Sequence, residues 1–536
     1  MRRLLSLAGA ALLAASPACP SPLEGRQTID FQSTGNPILA DGSYYSADPA
    51  PIVVNGTVYI LSGRDVAGAT ENNFGINEWQ IFESSDPNPS GGPWTLHAGV
   101  ARPQAVFAWA RPGTAYAAQI VRGADGRFYL YAPVTQASAG GGADPFGIGV
   151  AVSSGGVLGP YADAHPSGPI ISQTVPAPGN SIQNIDPTVL VDDDGRVYIY
   201  FGTFGQLLAY ELDGGDMATV RNAAAGATRV GSLTGFFEAP WLMKRRGTYY
   251  MLYAANNAGA GSPCTPTSYH ACIAYGTAPA PLGPWTHRGV VLDIVSSTTS
   301  HPGVFTRDGG ATYYLTYHTR DAAGGTHFRR SVALDRLEFD DTASPPAIKK
   351  VVQTRRAAEG GSSPPPTRNI APRAKVASLA ATPVQYWVEA VHDGRVEPNP
   401  LPPDYWCSYA AERSPPSSTL TYTWDAAVRL NGVAMAFFAD QPAGSNIGVP
   451  PPAAWRVEYL DAAAGAWVAV SLTGAGGYPT TVSNSPAEVG FQTVSTTSIR
   501  AVLTASGRNG QYGGVGVKEC LPCQVCIGTG LSQAAH

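Results

Sequence analysis

The 536-residue sequence predicts an all-β fold: a five-bladed β-propeller followed by a β-sandwich of the jelly-roll type. A short hairpin unit, in which a glycine-containing turn separates two apolar, tyrosine-rich runs, occurs five times, with turn glycines at 56, 126, 195, 247 and 310. A second element, Gly-Pro followed by an aromatic residue, recurs at 92–94, 159–161 and 283–285. Glycine (61) and proline (46) are abundant and only 14% of residues are charged, which is typical of a turn-dense β protein.

The hairpin unit is clearest in the segment 184–202. Its turn, Asp-Asp-Asp-Gly at 192–195, favours a chain reversal because short acidic side chains cap their own backbone and glycine accepts a positive φ. The flanking runs, 187–191 and 197–202, are rich in Val, Ile and Tyr and predict two paired strands. The five turn glycines are separated by 70, 69, 52 and 63 residues, and repeats of this length indicate propeller blades, which we place in residues 30–353.

Three acidic residues lie at the start of the first strand in three of these hairpins. They are Asp48, Asp186 and Glu238, each followed by proline directly or after one residue. Because the innermost strands of a propeller surround its axis, equivalent strand starts converge on one central pocket. Carboxyl groups that share a pocket push their pKa values apart, which is what general acid and base catalysis needs. Taken singly, each acid is equally explained as a cap of a turn or strand end.

These motifs resemble glycoside hydrolase family 43, five-bladed propeller enzymes that act mostly on xylosides and arabinofuranosides. The motifs are Ala-Asp-Pro at 47–49, Ile-Asp-Pro at 185–187 and Glu-Ala-Pro-Trp at 238–241. The resemblance implies Asp48 as general base, Glu238 as general acid, and Asp186 as the residue that tunes the pKa and orientation of the acid. It also implies inversion of the anomeric centre, for which the base and acid stand about 6.5–9.5 Å apart to admit a water.

The resemblance also implies substrate contacts, which we expect from Trp79, Phe107, Trp109, Gln119 and Arg330. Aromatic faces suit stacking on sugar rings, with packing between blades as the alternative. Neighbouring residues on a strand face opposite ways, so only one of Arg329 and Arg330 can reach the pocket, and we favour Arg330 over a surface pair. The segment Tyr-Ala-Ala-Gln at 116–119 departs from the family's Trp-Ala-Pro or Trp-Ala-x-Gln pattern.

His301 begins the fifth inner strand, where the family often carries a histidine on the propeller axis near a calcium ion or a water cluster. Calcium prefers oxygen ligands, so a hydrogen-bonded core histidine is an equal alternative. We expect no required cofactor and leave a structural calcium open.

Residues 1–18 combine a basic start, a short apolar centre and small residues, which predicts a secretory signal peptide and a secreted protein. The net charge of −5 gives no reason to expect nucleic acid as a partner, and no apolar segment is long enough to predict a membrane span. Of seven cysteines, Cys264 and Cys272 are expected to form a disulfide that closes the loop 265–271 between them. Cys407 is expected to pair with one of Cys520, Cys523 and Cys526.

Residues 354–368 are rich in Gly, Ser and Pro and predict a linker. Residues 369–520 resemble a discoidin-type jelly roll, either a carbohydrate-binding module or an accessory sandwich without a ligand, and 521–536 are expected to form an exposed tail.

Together these features predict a secreted, monomeric, inverting exo-glycosidase that releases terminal β-xylosyl or α-L-arabinofuranosyl units from plant cell-wall polysaccharides or oligosaccharides. A galactofuranosidase or galactanase-type hydrolase of the same fold is one alternative. A propeller that binds carbohydrate without hydrolysing it is the other.

Overall fold

The computed structural model describes residues 26–68, 71, 73–138, 144–176, 181–221, 223–255, 261–264, 271–295, 299–354, 370–371, 374–378, 388–393, 396, 405–440, 448–507 and 512–524. The predicted signal peptide, nearly all of the predicted linker and residues 525–536 lie outside these ranges. Within these ranges, no helix has the length and apolar character needed to cross a bilayer.

The five predicted hairpins are the first two strands of five antiparallel sheets. They are β2 (Ala47–Val54) with β3 (Thr57–Asp65), β6 (Gln119–Arg122) with β7 (Phe128–Thr135), β10 (Thr188–Val191) with β11 (Val197–Phe201), β14 (Phe236–Arg245) with β15 (Thr248–Ala255), and β18 (Gly303–Thr306) with β19 (Tyr313–Thr319). The first strands contact one another in a closed ring, β2 to β6 to β10 to β14 to β18 and back to β2. The predicted five-bladed propeller is therefore confirmed.

Outer strands complete each blade. They are β4 (Ile76–Ser84), β5 (Gly92–Ala101) and β1 (Gln27–Ser33) in blade one, β8 (Phe146–Ser153) and β9 (Ala162–Asp163) in blade two, β12 (Leu207–Leu212) and β13 (Thr228–Val230) in blade three, β16 (Cys272–Ala278) and β17 (Thr286–Leu292) in blade four, and β20 (Ser331–Leu337) in blade five. A short helix, α1 (Pro103–Val106), follows blade one, and a small hairpin, β21 (Phe339–Asp340) and β22 (Ala347–Ile348), follows blade five.

The aromatic residue of each Gly-Pro element is an anchor for its blade. Trp94, Tyr161 and Trp285 are all buried. The Trp285 indole N–H donates to the Tyr200 hydroxyl at 3.0 Å, and the Tyr161 hydroxyl donates to the Val157 carbonyl at 2.6 Å. The repeated motif thus marks packing positions.

The segment 36–46 closes the ring by lying along β20, the last strand of blade five. The Ile38 N–H donates to the Val332 carbonyl at 2.8 Å, and the Ser46 N–H donates to the Arg330 carbonyl at 2.8 Å. The Asn36 amide both donates to the Leu334 carbonyl at 2.8 Å and accepts from its N–H at 2.9 Å. The segment that connects β1 to β2 of blade one therefore supplies the outer edge of blade five.

All five turn glycines adopt positive φ, at 80°, 81°, 80°, 76° and 95° in chain order. A Cβ at Gly247 would meet no atom within 4 Å, so Gly247→Ala is expected to cost only the conformational term, about 1–2 kcal/mol. The urea midpoint of unfolding should fall accordingly. Gly231→Ala is the matched control, because that glycine is equally unobstructed but lacks a positive φ. Equal losses in both variants would contradict this account.

The C-terminal region forms a separate antiparallel sheet with its own apolar core. Its strands are β23 (Lys375–Ser378), β24 (Trp406–Cys407), β25 (Ser417–Phe438), β26 (Ala454–Asp461), β27 (Ala466–Ala469), β28 (Ala487–Thr504) and β29 (Gly516–Gln524). The 22-residue strand β25 breaks register between Thr423 and Val428 and again between Leu430 and Gly432. Such shifts bend a strand, consistent with the predicted β-sandwich.

The cysteine and tail predictions have separate outcomes. Cys264 and Cys272 form the predicted disulfide, with their Cα atoms 5.5 Å apart. Cys407 and Cys520 are both buried, and the pairing of Cys407 stays a prediction.

The predicted tail needs correction, because β29 continues to Gln524 and pairs residues 521–524 with β25. The ladder of backbone hydrogen bonds holds these four residues in the sheet.

Candidate active site

The three acids lie at irregular backbone positions at the starts of β2, β10 and β14. Asp48 and Asp186 both have φ of 56°, and Ala239, which follows Glu238, has φ of 57°. Pairing shifts register between Ala47 and Ala50 in β2 and on both sides of Glu238 in β14. Bulges of this kind re-aim side chains, and left-handed backbone at non-glycine residues is uncommon and concentrates at functional sites.

The Asp48 carboxylate is surrounded by blade five. Its Oδ1 accepts from Arg330 Nη1 at 3.1 Å and lies 3.4 Å from His318 Nδ1 and 3.5 Å from His301 Nδ1. The Asp48 backbone N–H donates to His318 Nδ1 at 3.0 Å. Of these contacts, the hydrogen bond from Arg330 brings a guanidinium charge to the carboxylate.

These neighbours keep Asp48 ionised. Burial by itself raises its pKa, but the Arg330 guanidinium, with smaller contributions from His318 and His301, outweighs burial and holds the pKa well below its usual range. Burial lowers the pKa of both histidines to about 4, so both are neutral at neutral pH. The charge that stabilises the Asp48 carboxylate at neutral pH is therefore that of Arg330.

Arg330 is itself fixed by Asp65, at the end of β3. Its Nε and Nη2 donate to the two oxygens of Asp65 at 3.0 and 2.9 Å, and its backbone N–H donates to Asp65 Oδ2 at 2.8 Å. Both side chains are almost fully buried. A guanidinium held by a bidentate pair has one orientation, and here its remaining nitrogen is directed at Asp48.

Arg330→Gln is expected to lower the free energy of unfolding by about 3–5 kcal/mol, because it leaves Asp48 and Asp65 buried without their cation. Urea denaturation of the purified variant measures this. The same change should raise the pKa of Asp48, since burial is then less opposed, and shift the acid limb of any pH–rate profile to higher pH.

The control is Arg329→Gln. Arg329 donates Nε to the Ala67 carbonyl at 2.7 Å and contacts no carboxylate in the described part of the chain. The Arg329→Gln variant should lose less stability and leave the acid limb of the pH–rate profile in place. An equal effect of both variants would contradict the role of Arg330.

Asp186 and Glu238 form the other half of the pocket. Asp186 Oδ2 accepts from the Ala239 N–H at 3.1 Å, and Glu238 Oε2 accepts from the Thr203 hydroxyl at 2.5 Å. Burial, then the charges of Glu238 and Asp48, raise the pKa of Asp186 well above its usual range. Burial, opposed by hydrogen bonds from Thr203 and Thr299, raises the pKa of Glu238. The pocket therefore combines one ionised carboxylate with two carboxyl groups that favour retaining a proton.

The other predicted substrate contacts are mostly packing residues. Trp79 and Phe107 are fully buried, and the Trp79 indole N–H donates to the Tyr116 carbonyl at 2.9 Å. Neither ring presents a face to a ligand, because blade packing covers both. Gln119 Oε1 accepts from the Val189 N–H at 2.6 Å, which ties blade two to blade three. Trp109 is half-buried and donates to the Asp163 carboxylate at 3.1 Å, so its indole N–H is already engaged.

His301 Nδ1 lies 3.5 Å from Asp48 Oδ1, but these surroundings do not by themselves form a calcium site. Burial, and to a smaller extent the Arg330 charge, lower the pKa of His301, and the same charge opposes a second cation. In the described ranges no three His, Cys, Asp or Glu side chains group to hold a metal ion. The structural calcium stays a prediction, and no step below depends on it.

Sequence reasoning missed Asp65, His318 and Thr203. Asp65 and His318 lie at the ends of β3 and β19, and Thr203 follows the end of β11. In an antiparallel hairpin the end of the second strand returns beside the start of the first, where the acids lie. Polar residues at the ends of the second hairpin strands are therefore the signal that could have found them.

The fold and this pocket place the chain in the class of five-bladed propellers that carry carboxyl groups at the starts of three inner strands. Within that class, the family model for glycosyl hydrolases family 43 matches residues 34–343, and the chain belongs to this family. The resemblance found in the sequence is confirmed.

Two relatives and one solved structure illustrate the match. A β-D-galactofuranosidase of Aspergillus niger is 33% identical over 203 residues, which cover 37% of this chain and 54% of that protein. A xylosidase/arabinosidase of Bacteroides ovatus is 28% identical over 336 residues, which cover 55% of this chain and 92% of that protein. A β-xylosidase/α-arabinofuranosidase from a compost microbial metagenome is 24% identical, covers 60% of this chain and 98% of its own, and has a TM-score of 0.48. The chain thus spans about half the length of the first relative.

Proposed function

We propose that this glycoside hydrolase is an inverting exo-glycosidase that removes terminal β-xylosyl or α-L-arabinofuranosyl units from plant cell-wall polysaccharides or oligosaccharides. The observation that carries the proposal is the different surroundings of Asp48 and Glu238 in one pocket: Asp48 accepts from the Arg330 guanidinium, whereas Glu238 accepts from the uncharged Thr203 hydroxyl. In these surroundings the pKa of Asp48 is lowered and that of Glu238 is raised. A base must be ionised and an acid protonated at the same pH, and these environments favour that state. The xylosidase/arabinosidase relative supports the choice of sugars.

In this mechanism the Asp48 carboxylate accepts a proton from a water as that water attacks the anomeric carbon. The bond from the anomeric carbon to the leaving oxygen breaks, and Glu238 donates its proton to that oxygen. The turnover consumes one water and leaves Asp48 protonated and Glu238 ionised. Proton exchange with solvent restores both groups.

Asp186 assists the acid in the proposed mechanism. Its carboxyl oxygen accepts from the Ala239 N–H, so it holds the backbone next to Glu238. The two groups disfavour simultaneous ionisation because like charges repel in a buried site, and a proton is retained in the pair.

A panel of 4-nitrophenyl glycosides tests the proposal: β-D-xylopyranoside, α-L-arabinofuranoside and β-D-galactofuranoside. Release from either of the first two supports it. Proton NMR of the first-formed sugar then tests inversion, and a product with the substrate's anomeric configuration would overturn the mechanism.

A galactofuranosidase is the second candidate, because the Aspergillus niger relative of that name is 33% identical over its matched region. Release from the galactofuranoside alone would favour it. No release from any glycoside, with retained binding to arabinoxylan, would favour a binding propeller instead.

The proposal includes secretion directed by residues 1–18 and action as a monomer without a required cofactor. Dialysis against a chelator should leave activity unchanged. A loss restored by Ca²⁺ would show that calcium is needed.

A further inference from the structure

Phe204 is the most exposed aromatic side chain in the described part of the chain, at 66%. It lies in the loop 202–206 between β11 and β12, with φ of 52°. Its ring packs edge-on against Phe237, with centroids 5.5 Å apart and planes at 81°. We call these two residues the Phe204–Phe237 pair.

The loop that carries Phe204 is tied to the strand starts of two acids. The Gly202 N–H donates to the Ile185 carbonyl at 2.9 Å, beside Asp186, and the Gly205 N–H donates to the Phe237 carbonyl at 3.1 Å. Thr203, the residue before Phe204, donates to the Glu238 carboxyl group. The pair therefore lies at the rim of the pocket, on the side of Glu238.

The stability of the fold does not explain an exposed phenylalanine held in left-handed backbone. A non-glycine residue in left-handed backbone costs on the order of 1–3 kcal/mol, and an exposed phenylalanine contributes little hydrophobic stabilisation in return. Backbone strain of this kind at the edge of a pocket points to a ligand contact.

Phenylalanine side chains lie on both sides of the pocket. Phe74 lies on the Asp48 side, with its ring centroid 5.0 Å from the Arg330 guanidinium carbon. Phe204 and Phe237 lie on the side of Glu238, the group that donates a proton to the leaving oxygen in the proposed function. A sugar that departs with that oxygen must pass over the Glu238 side.

We propose that the Phe204–Phe237 pair is the binding surface for the leaving sugar, stacking against the apolar C–H face of the saccharide unit next to the scissile bond. This inference rests on the proposed function. A stacking surface at this position would make the enzyme selective for leaving groups that contain a ring, with Phe204 as a specificity-determining residue.

The test compares two substrates that share a glycosyl unit but differ in the leaving group. With xylose as the released sugar these are xylobiose and β-D-xylopyranosyl fluoride; with arabinose they are α-1,5-arabinobiose and α-L-arabinofuranosyl fluoride. Phe204→Asn removes the ring, and asparagine tolerates the left-handed backbone. It should lower kcat/KM on the disaccharide about tenfold, mainly through KM, and leave the fluoride within about twofold, since fluoride has no ring to stack.

Two further variants separate binding from structure. Phe204→Tyr keeps the ring and should restore disaccharide hydrolysis to within about threefold of wild type. Val352→Asn changes an exposed apolar residue remote from the acids along the chain and should alter neither substrate. The pH–rate profile on the disaccharide should be unmoved in Phe204→Asn, because Glu238 keeps its partner Thr203.

Equal losses on both substrates, or no loss on the disaccharide, would overturn the leaving-side assignment while the proposed function stands. If the wild-type enzyme hydrolyses neither substrate pair, the proposed function fails and the assignment fails with it.

Discussion

Replacing Glu238 with glutamine is expected to lower kcat about 10²–10⁴-fold on glycosides whose leaving group is a sugar. The amide can still accept the hydrogen bond from Thr203 but cannot donate a proton to the leaving oxygen. A 2,4-dinitrophenyl glycoside should lose far less, because its leaving group departs without protonation. Steady-state kinetics on the two substrate types measures the difference.

The pH profile gives a second readout for Glu238. Because burial raises the pKa of Glu238, wild-type activity should persist above the ordinary range for a glutamate and fall as the pH rises through that raised value. In Glu238→Gln the group no longer titrates, so this basic limb should disappear. Glu338→Gln changes an exposed glutamate directly after blade five and should preserve both rate and profile. A comparable loss on both leaving-group types would argue against an acid.

Replacing Asp48 with asparagine is expected to lower kcat by a similar factor on every substrate, activated or not. Attack of water needs the base whichever group leaves, so leaving-group activation should not rescue this variant. Because Arg330 holds the pKa of Asp48 well below its usual range, the wild-type enzyme should keep its base ionised through mildly acidic pH. The acid limb of the wild-type pH–rate profile is expected only at strongly acidic pH.

The control for Asp48 is Asp194→Asn, an acid-to-amide change in the exposed turn between β10 and β11. It should stay within about twofold of wild type. Rescue of Asp48→Asn by a dinitrophenyl leaving group would contradict its assignment as the base.

Much of the fold could be predicted from local chemistry. A turn glycine with positive φ between two tyrosine-rich runs is written into adjacent residues, so the five hairpins at 56, 126, 195, 247 and 310 were all found. The acids could be predicted for the same reason, because Asp-Pro or Glu-Ala-Pro stands at the start of a strand. Whether an aromatic faces a ligand or a neighbouring blade depends on distant chain, and this is where the prediction failed for Trp79 and Phe107.

The contacts of Arg330 could not be predicted either. Strand alternation predicts only that one of Arg329 and Arg330 reaches the pocket. The partners of Arg330, Asp65 and Asp48, lie 265 and 282 positions away in the sequence. Only closure of the ring brings them together. The exposed Phe204 had no local signal beyond the two glycines of its loop, Gly202 and Gly205.

Ring closure by the segment 36–46 also has a consequence for synthesis of the protein. Asp48 leaves the ribosome early, whereas Arg330, His318 and His301, which set its protonation, emerge some 250 residues or more later. In a nascent chain stalled before blade five, Asp48 would be an ordinary solvent-exposed aspartate, because the residues that set its protonation in the enzyme would be missing. The enzyme should therefore acquire activity in one step, when the last blade docks on the first, and not gradually as blades accumulate.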